Sequence, residues 1–518
     1  MTNAQEFLTQ LVALASWGNI LVLLGTTILG IIFGAMPGLT ATLGVALLTT
    51  VTFSLKLPVD TSMVALLGIY VGAIYGGSHT AILLNIPGTA ASAATAVEGY
   101  PLFKKGRGGE AIGTATVMSF FGTVAGVLAM LLFIPMLSQL AQRFTAVEFF
   151  LLAVFGVMVC GSLTSPDTPI KGWIMGVLGL LMATVGKDAI QGYERFTFGL
   201  VDLMDGIDPI PVLLGGFALP QVIRNLKDPA VMLTASKVTR VLPRWSELRR
   251  HWPTALRGGL VGVGVGAIPG VGEDVAAWMS YDVARKFSRT PQEFGKGTME
   301  GVIAAETANN ACIGGALIPL LTLGVPGSPP AAMLLGAILL ANIIPGPRLP
   351  VESPHFIPMM SAILLWASAA MLVCGFAMSK VSVHVVRMPL GMLMPMVSLF
   401  TVMGAYALEY SMFHVLGTLV FGFIAYLLEE MGYPIAPLVI GIILGPMADE
   451  NLRRALLASQ GSLATFFYRI GDTAHPGPRY IALFLMGLIL LSVVNQTPLP
   501  ALIRRILRRR RPPQTPPA

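Results

Sequence analysis

Four interruptions in apolar sequence carry the chemistry. Asn85, Pro87, Gly88 and Thr89 break one greasy run, and Gly324, Pro326, Gly327 and Ser328 break another. Pro37-Gly38 and Pro269-Gly270 break two more. Proline removes an amide donor and stops a regular helix, while glycine allows backbone angles that other residues resist. In hydrocarbon each orphaned amide or carbonyl costs several kcal/mol, so such a break survives only where protein buries it or where it lines a polar cavity. A half-helix that ends there offers carbonyls to a cation, and one that begins there offers amides to an anion. Thr89 and Ser328 follow their breaks at N-cap positions, where a hydroxyl satisfies amides or touches a ligand. The small residues Ala90, Ala91, Ser92, Ala93 and Ala94 then let helices approach closely.

Polar side chains gather near these breaks: Ser78, His79, Glu273, Asp274, Ser280, Glu306, Thr307, Asn309 and Asn310. Ionisable groups inside a membrane are functional candidates by default. Asn309 and Asn310 lie about one helical turn beyond Glu306 and Thr307, so a cluster can face the second break. Amide and hydroxyl oxygens suit a hard cation, and their protons suit a carboxylate. The plainer alternative is that these groups satisfy backbone freed by the breaks. By the same reasoning Glu273 and Asp274 cap a short half-helix, and His79 is a packed histidine.

The elements that must hold these residues are membrane helices. Of 518 residues, 54% are hydrophobic and only 11% charged, against about 25% charged in ordinary globular chains. The chain reads as an all-α polytopic membrane protein with about twelve crossings. Apolar windows fall near 19–33, 61–84, 111–137, 148–163, 172–185, 209–222, 256–267, 301–323, 357–378, 388–408, 413–428, 434–444 and 480–494. The N-terminus lacks the basic region of a signal peptide. Cys160, Cys312 and Cys374 sit alone in apolar runs, without metal or disulfide spacing. No G-x-S-x-G, H-E-x-x-H or phosphate-cradling loop is present, so nothing points to an enzyme or a resident cofactor. The net charge of +7 concentrates at 104–107, 237–257 and 504–511, which beside membrane spans marks cytoplasmic loops rather than nucleic-acid binding.

The chain also contains itself twice. Gly30–Gly38 matches Gly262–Gly270 at an offset of 232, and Leu84–Thr89 matches Leu323–Ser328 at 239. Interrupted segments at matching positions of two halves point to the binding site of secondary transporters. Basic residues enter the second copy and follow its first break, yet in the first copy they follow the second break at Lys104, Lys105 and Arg107. Positive charge thus changes sides between copies, which predicts inverted repeats. The expected organisation is a first repeat at 1–222, a basic cytoplasmic linker at 223–256, a second repeat with C-terminal helices at 257–503, and a basic, proline-rich tail at 504–518.

The motifs Gly34–Leu39, Tyr75–Ser78, Asn85–Thr89, Glu98–Pro101 and Gly266–Gly270 occur in order with Phe294–Gly297, Glu306–Ala311, Gly315–Leu320, Leu323–Ser328 and Pro345–Pro347. Together they resemble the large membrane subunit of tripartite tricarboxylate transporters, the TctA family. The resemblance implies an inner-membrane permease of elevator-like architecture that works with a small four-helix membrane subunit and a periplasmic solute-binding protein. It implies uptake of a carboxylate (a tricarboxylate such as citrate, a dicarboxylate or a related organic acid) driven by a sodium or proton gradient. A transported Na+ would then be the sole metal. The family signature often opens its D-G-Y-P stretch with an acid, and Glu98 keeps that charge. The matching residues are Pro37, Gly38, Asn85–Thr89, Pro269, Gly270, Gly324–Ser328, Thr307, Asn309 and Asn310. A carboxylate transporter that needs no binding protein is the alternative reading.

Overall fold

The computed structural model describes residues 3–36, 39–165, 167–227, 241–379, 390–469 and 477–496. The first half contributes helices α1 (Asn3–Ala13), α2 (Trp17–Ala35), α3 (Ala41–Ser54), α4 (Val59–Leu84), α5 (Ala93–Lys104), α6 (Gly108–Ala141), α7 (Ala146–Thr164), α8 (Pro169–Met182) and α9 (Pro209–Lys227). The second contributes α10 (Trp245–Arg250), α11 (Trp252–Gly266), α12 (Gly272–Phe287), α13 (Met299–Leu323), α14 (Pro329–Leu340), α15 (Leu349–Glu352) and α16 (Phe356–Met378). The C-terminal helices are α17 (Leu390–Glu409), α18 (Met412–Glu430), α19 (Ile435–Ala458) and α20 (Tyr480–Gln496). The tail 504–518 and residues 228–240 of the linker lie outside the described residues, and α11 begins inside the stretch read as linker.

The chain is a multi-pass membrane protein. By length and composition, α2, α4, α6, α7, α16, α18 and α19 can cross a bilayer. Further apolar helices are shorter, among them α3, α8 and α14. Each apolar window read from the sequence falls on a helix, as far as the residues are described. Two features departed from that reading. A small antiparallel hairpin pairs Gly186–Lys187 with Glu194–Arg195. Helix α19, expected to stop near 444, runs through Pro446 to Ala458. Its charged extension is held by that hairpin region: Arg453 pairs with Asp188 at 2.6 Å and Asp449 with Arg195 at 2.8 Å.

The two copies fold alike. In the first, glycines let α2 and α4 touch backbone to backbone: a Cβ on Gly72 would lie 2.4 Å from the Thr27 carbonyl oxygen, and one on Gly76 2.4 Å from that of Ile31. Residue numbers rise together along the contact, so the helices run in the same direction. In the second, a Cβ on Gly262 would lie 2.3 Å from the Ala308 carbonyl oxygen and one on Gly266 2.4 Å from that of Cys312, giving α11 and α13 the same relation. Small residues that admit close backbone approach are how helices associate without a hydrophobic drive between them.

The copies are also interlocked. Helix α6 packs on α13 and α16 on α4; α14 packs on α3, while α5 and the 3-10 turn Ala90–Ser92 pack on α12. The equivalent central helices α4 and α13 run antiparallel: Tyr70 lies by Cys312, whereas Ser78 lies by Glu306. Basic segments from both halves meet at one end of this core. Arg107 pairs with Glu247 at 2.7 Å, Arg244 with Glu110 at 2.9 Å, and the Lys105 ammonium donates to the Lys296 carbonyl at 2.6 Å.

Candidate functional site

In each copy the second break packs against the end of the helix that leads into the first. A Cβ on Gly88 would lie 2.0 Å from the Gly34 carbonyl oxygen, and one on Gly327 2.1 Å from that of Gly266. Neither glycine could carry any side chain without moving backbone. In the second copy hydrogen bonds join the two chain segments: Gly270 N–H donates to the Pro326 carbonyl at 3.2 Å and Gly272 N–H to the Gly327 carbonyl at 3.1 Å. Pro37 and Gly38 lie outside the described residues. The helices entering the second breaks end alike. Asn85 caps α4 with φ 59° and Gly324 caps α13 with φ 72°, both left-handed, a conformation open to glycine and tolerated by asparagine.

The four half-helix starts differ in what they offer a ligand. Thr40 caps α3 by accepting from Leu43 N–H at 3.1 Å. At α12 the positive end is already occupied by its own acids, Glu273 and Asp274. Ser328 caps α14 by accepting from Ala331 N–H at 3.4 Å. Pro329 and Pro330 then remove two of the amides that a helix start leaves free. The start after Gly88 is the open one. Ala90 and Ala91 N–H groups donate to no described residue, and the buried Thr89 hydroxyl, which faces the Ser92 N–H in a capping box, finds no acceptor for its own proton. Asn85, Pro87 and Ala90 are exposed there.

Behind the breaks lie two buried carboxylates that tie the copies together. Glu306 accepts from Thr95 Oγ1 at 2.5 Å and from Ser119 Oγ at 3.0 Å. Ser78 and Asn309 stand within reach of the same carboxylate, and neither the Ser78 hydroxyl nor the Asn309 Nδ2 has another partner. Asn310 Nδ2 donates to Asn309 Oδ1 at 2.8 Å and to the Glu306 carbonyl at 3.4 Å, while Thr123 donates to Asn310 Oδ1 at 3.4 Å. The Tyr70 hydroxyl donates to the second carboxylate, Glu273, and lies 2.8 Å from Ser328 Oγ. Asp274, next to Glu273 in sequence, is exposed.

A third carboxylate is structural. Glu98 accepts from the N–H groups of Gly295 (2.5 Å), Gly297 (2.7 Å) and Thr298 (2.8 Å) and from the Tyr281 hydroxyl (2.7 Å). It clamps the loop that enters α13, joining two motifs almost two hundred positions apart in sequence.

Of the residues read from the sequence, Asn85, Pro87, Gly88 and Thr89 form one break, and Pro269, Gly270, Gly324, Pro326, Gly327 and Ser328 form the other paired break. Ser78, Asn309 and Asn310 join the Glu306 cluster. Thr307 does not: its hydroxyl donates to the Ile303 carbonyl of its own helix at 2.7 Å. Sequence reasoning passed over Thr95, Ser119 and Tyr70. Thr116, Ser119 and Thr123 recur at helical spacing on α6 and were the available signal for a polar face.

Residues 20–440 match the family described as Tripartite tricarboxylate transporter TctA family. An uncharacterized 52.8 kDa protein in the TAR-I ttuC' 3'region of Agrobacterium vitis is 38% identical over 453 residues, covering 87% of this chain and 88% of that protein. A second uncharacterized protein, in the TAR-II ttuC' 3'region of the same organism, is 34% identical over 230 residues, covering 44% of this chain and 91% of its own length. No solved structure matches the chain.

Proposed function

We infer the function from one premise: the chain belongs to the tripartite tricarboxylate transporter TctA family. It is a membrane permease of that family, and we propose that it imports an organic carboxylate by cation-coupled secondary transport across a bacterial inner membrane. On this reading it works with a small membrane subunit and a periplasmic binding protein that delivers the substrate.

The observation that carries the site assignment is the open half-helix start after Pro87-Gly88. Its free Ala90 and Ala91 amides and the undonated proton of the Thr89 hydroxyl suit a carboxylate. The second break, with prolines where amides would be, supplies Ser328 and backbone oxygens instead. We read the copies as inverted repeats, because α4 and α13 run antiparallel and the basic segments of both halves share one end, taken as cytoplasmic. Movement of this interlocked core against the remaining helices would expose the site alternately, as in an elevator.

Uptake of labelled tri-, di- and monocarboxylates into vesicles holding the membrane subunits tests the reading, with and without the binding protein and under imposed sodium or proton gradients. Gradient-driven uptake that needs the binding protein is the expected result. Uptake without it would favour a self-sufficient transporter, and no uptake under any gradient would overturn the proposal.

A further inference from the structure

We propose that Glu306 is the proton carrier of the transport cycle: its carboxylate takes up a proton from one side of the membrane, stays neutral while the substrate anion is aboard, and releases the proton on the other side. This rests on the transport reading above and adds the identity of the coupling ion and of the group that carries it.

The first argument is the chemistry of the shell. Around Glu306 stand the hydroxyls of Thr95, Ser119 and Ser78, each fully buried. A hydroxyl can donate to a carboxylate and, turned about its C–O bond, accept from a carboxylic acid. The shell therefore fits both protonation states. Glu98 is the internal contrast: three of its partners are backbone amides, which can only donate, so its shell fits the anion alone.

Spare capacity is the second. Ser78 Oγ and Asn309 Nδ2 are buried, unpartnered and beside the carboxylate. The Asn309 oxygen is already taken by Asn310, so the group left for Glu306 is an N–H donor. A donor there suits a carboxyl oxygen and disfavours a metal cation.

Third, no lysine or arginine neutralises Glu306 among the described residues. The titratable group facing it from α4 is Tyr75, which is hydrogen-bonded to His79 at 2.7 Å. Helix α6 brings Ser119 and Thr123, and α5 brings Thr95. Helix α11 turns Gly258, Gly259 and Gly262 towards α13, and α14 is apolar. The acids of α12, Glu273 and Asp274, lie farther along α13 by Cys312. An ionised Glu306 is thus an uncompensated negative charge, and Thr95 links it to the segment that begins at the anion-holding break. In a dry core that charge opposes a carboxylate until a proton removes it.

The test compares wild type with Glu306→Gln, an uncharged isostere of the protonated state, in vesicles holding the membrane subunits and binding protein. We expect wild-type net uptake to follow an imposed pH gradient and to be indifferent to a sodium gradient. E306Q should lose pH-driven net uptake about tenfold or more yet keep exchange of external for internal carboxylate, because exchange needs no deprotonation. Wild-type uptake that follows sodium and ignores the pH gradient would overturn the assignment while leaving the transport reading intact. So would E306Q protein that elutes as a folded species but has lost exchange, or that keeps full pH-driven uptake. Were E306Q not to fold, the wild-type ion dependence would still decide. Absence of wild-type transport under any gradient would overturn the underlying function as well.

Discussion

Gly327 lies so close to Gly266 that a Cβ would sit 2.1 Å from its carbonyl oxygen, and Gly88 repeats the relation with Gly34 at 2.0 Å. Each copy thus seats its second break against the helix leading into the first, through a position that admits no side chain. Gly88→Ala and Gly327→Ala should each force backbone apart, at a cost of about 1–3 kcal/mol or more. Thermal unfolding in detergent should show the loss, and uptake should fall further than the melting shift explains. Wild-type melting and uptake in both variants would contradict the paired-break geometry.

Glu98 should matter for stability before transport. Glu98→Ala removes the carboxylate partner of three part-buried amides at the entrance to α13, each such bond contributing about 1 kcal/mol. We expect a large drop in melting temperature, partly recovered by Glu98→Asp, since aspartate keeps the charge with a shorter reach. Equal melting of E98A and wild type would remove the clamp from the account.

Asn310→Ala separates the polar cluster from the fold. The amide bridges Asn309, Thr123 and the Glu306 carbonyl. Its loss should cost about 1–3 kcal/mol through the partners left unpaired. Uptake should fall about tenfold or more in protein that still elutes as a folded species. Normal uptake would restrict Asn310 to satisfying neighbouring backbone.

The hairpin region predicts a pH effect on stability. The Ile190 amide and the Arg453 guanidinium, at 2.9 and 2.6 Å, hold the Asp188 carboxyl below its ordinary value. A depressed acid stabilises the folded chain above its unfolded-state value of about 4 and loses that stabilisation as pH falls through the folded one. Wild type should therefore melt above Asp188→Asn at neutral pH, with the gap closing as the pH drops below about 4. A gap independent of pH would show that the ion pair is not its source.

The helical membrane class, the repeats and the four breaks were legible in sequence because Pro-Gly pairs in apolar runs and a fixed offset are local signals. Helix α3 was not marked as a separate element, since threonines interrupt its apolar pattern. The extension of α19 past Pro446 was hidden because distant ion pairs with Asp188 and Arg195 sustain it. The meeting of Gly34 with Gly88, and the arrival of Thr95 and Ser119 at Glu306, are tertiary facts that no spacing along one helix encodes. Asn309 and Asn310 were picked by type and position, and both lie in the Glu306 cluster. Thr307, chosen on the same grounds, spends its hydroxyl on its own helix.

The central claim, that the break after Gly88 holds the substrate carboxylate, is tested most directly at Ala90, which is exposed beside the free amides. In a background with Cys160, Cys312 and Cys374 replaced by alanine, Ala90→Cys should react with a small thiol reagent. A transported carboxylate should slow that labelling about tenfold, while a carboxylate that is not taken up should leave it unchanged. Equal labelling with and without substrate, in a variant that still transports, would place the substrate elsewhere.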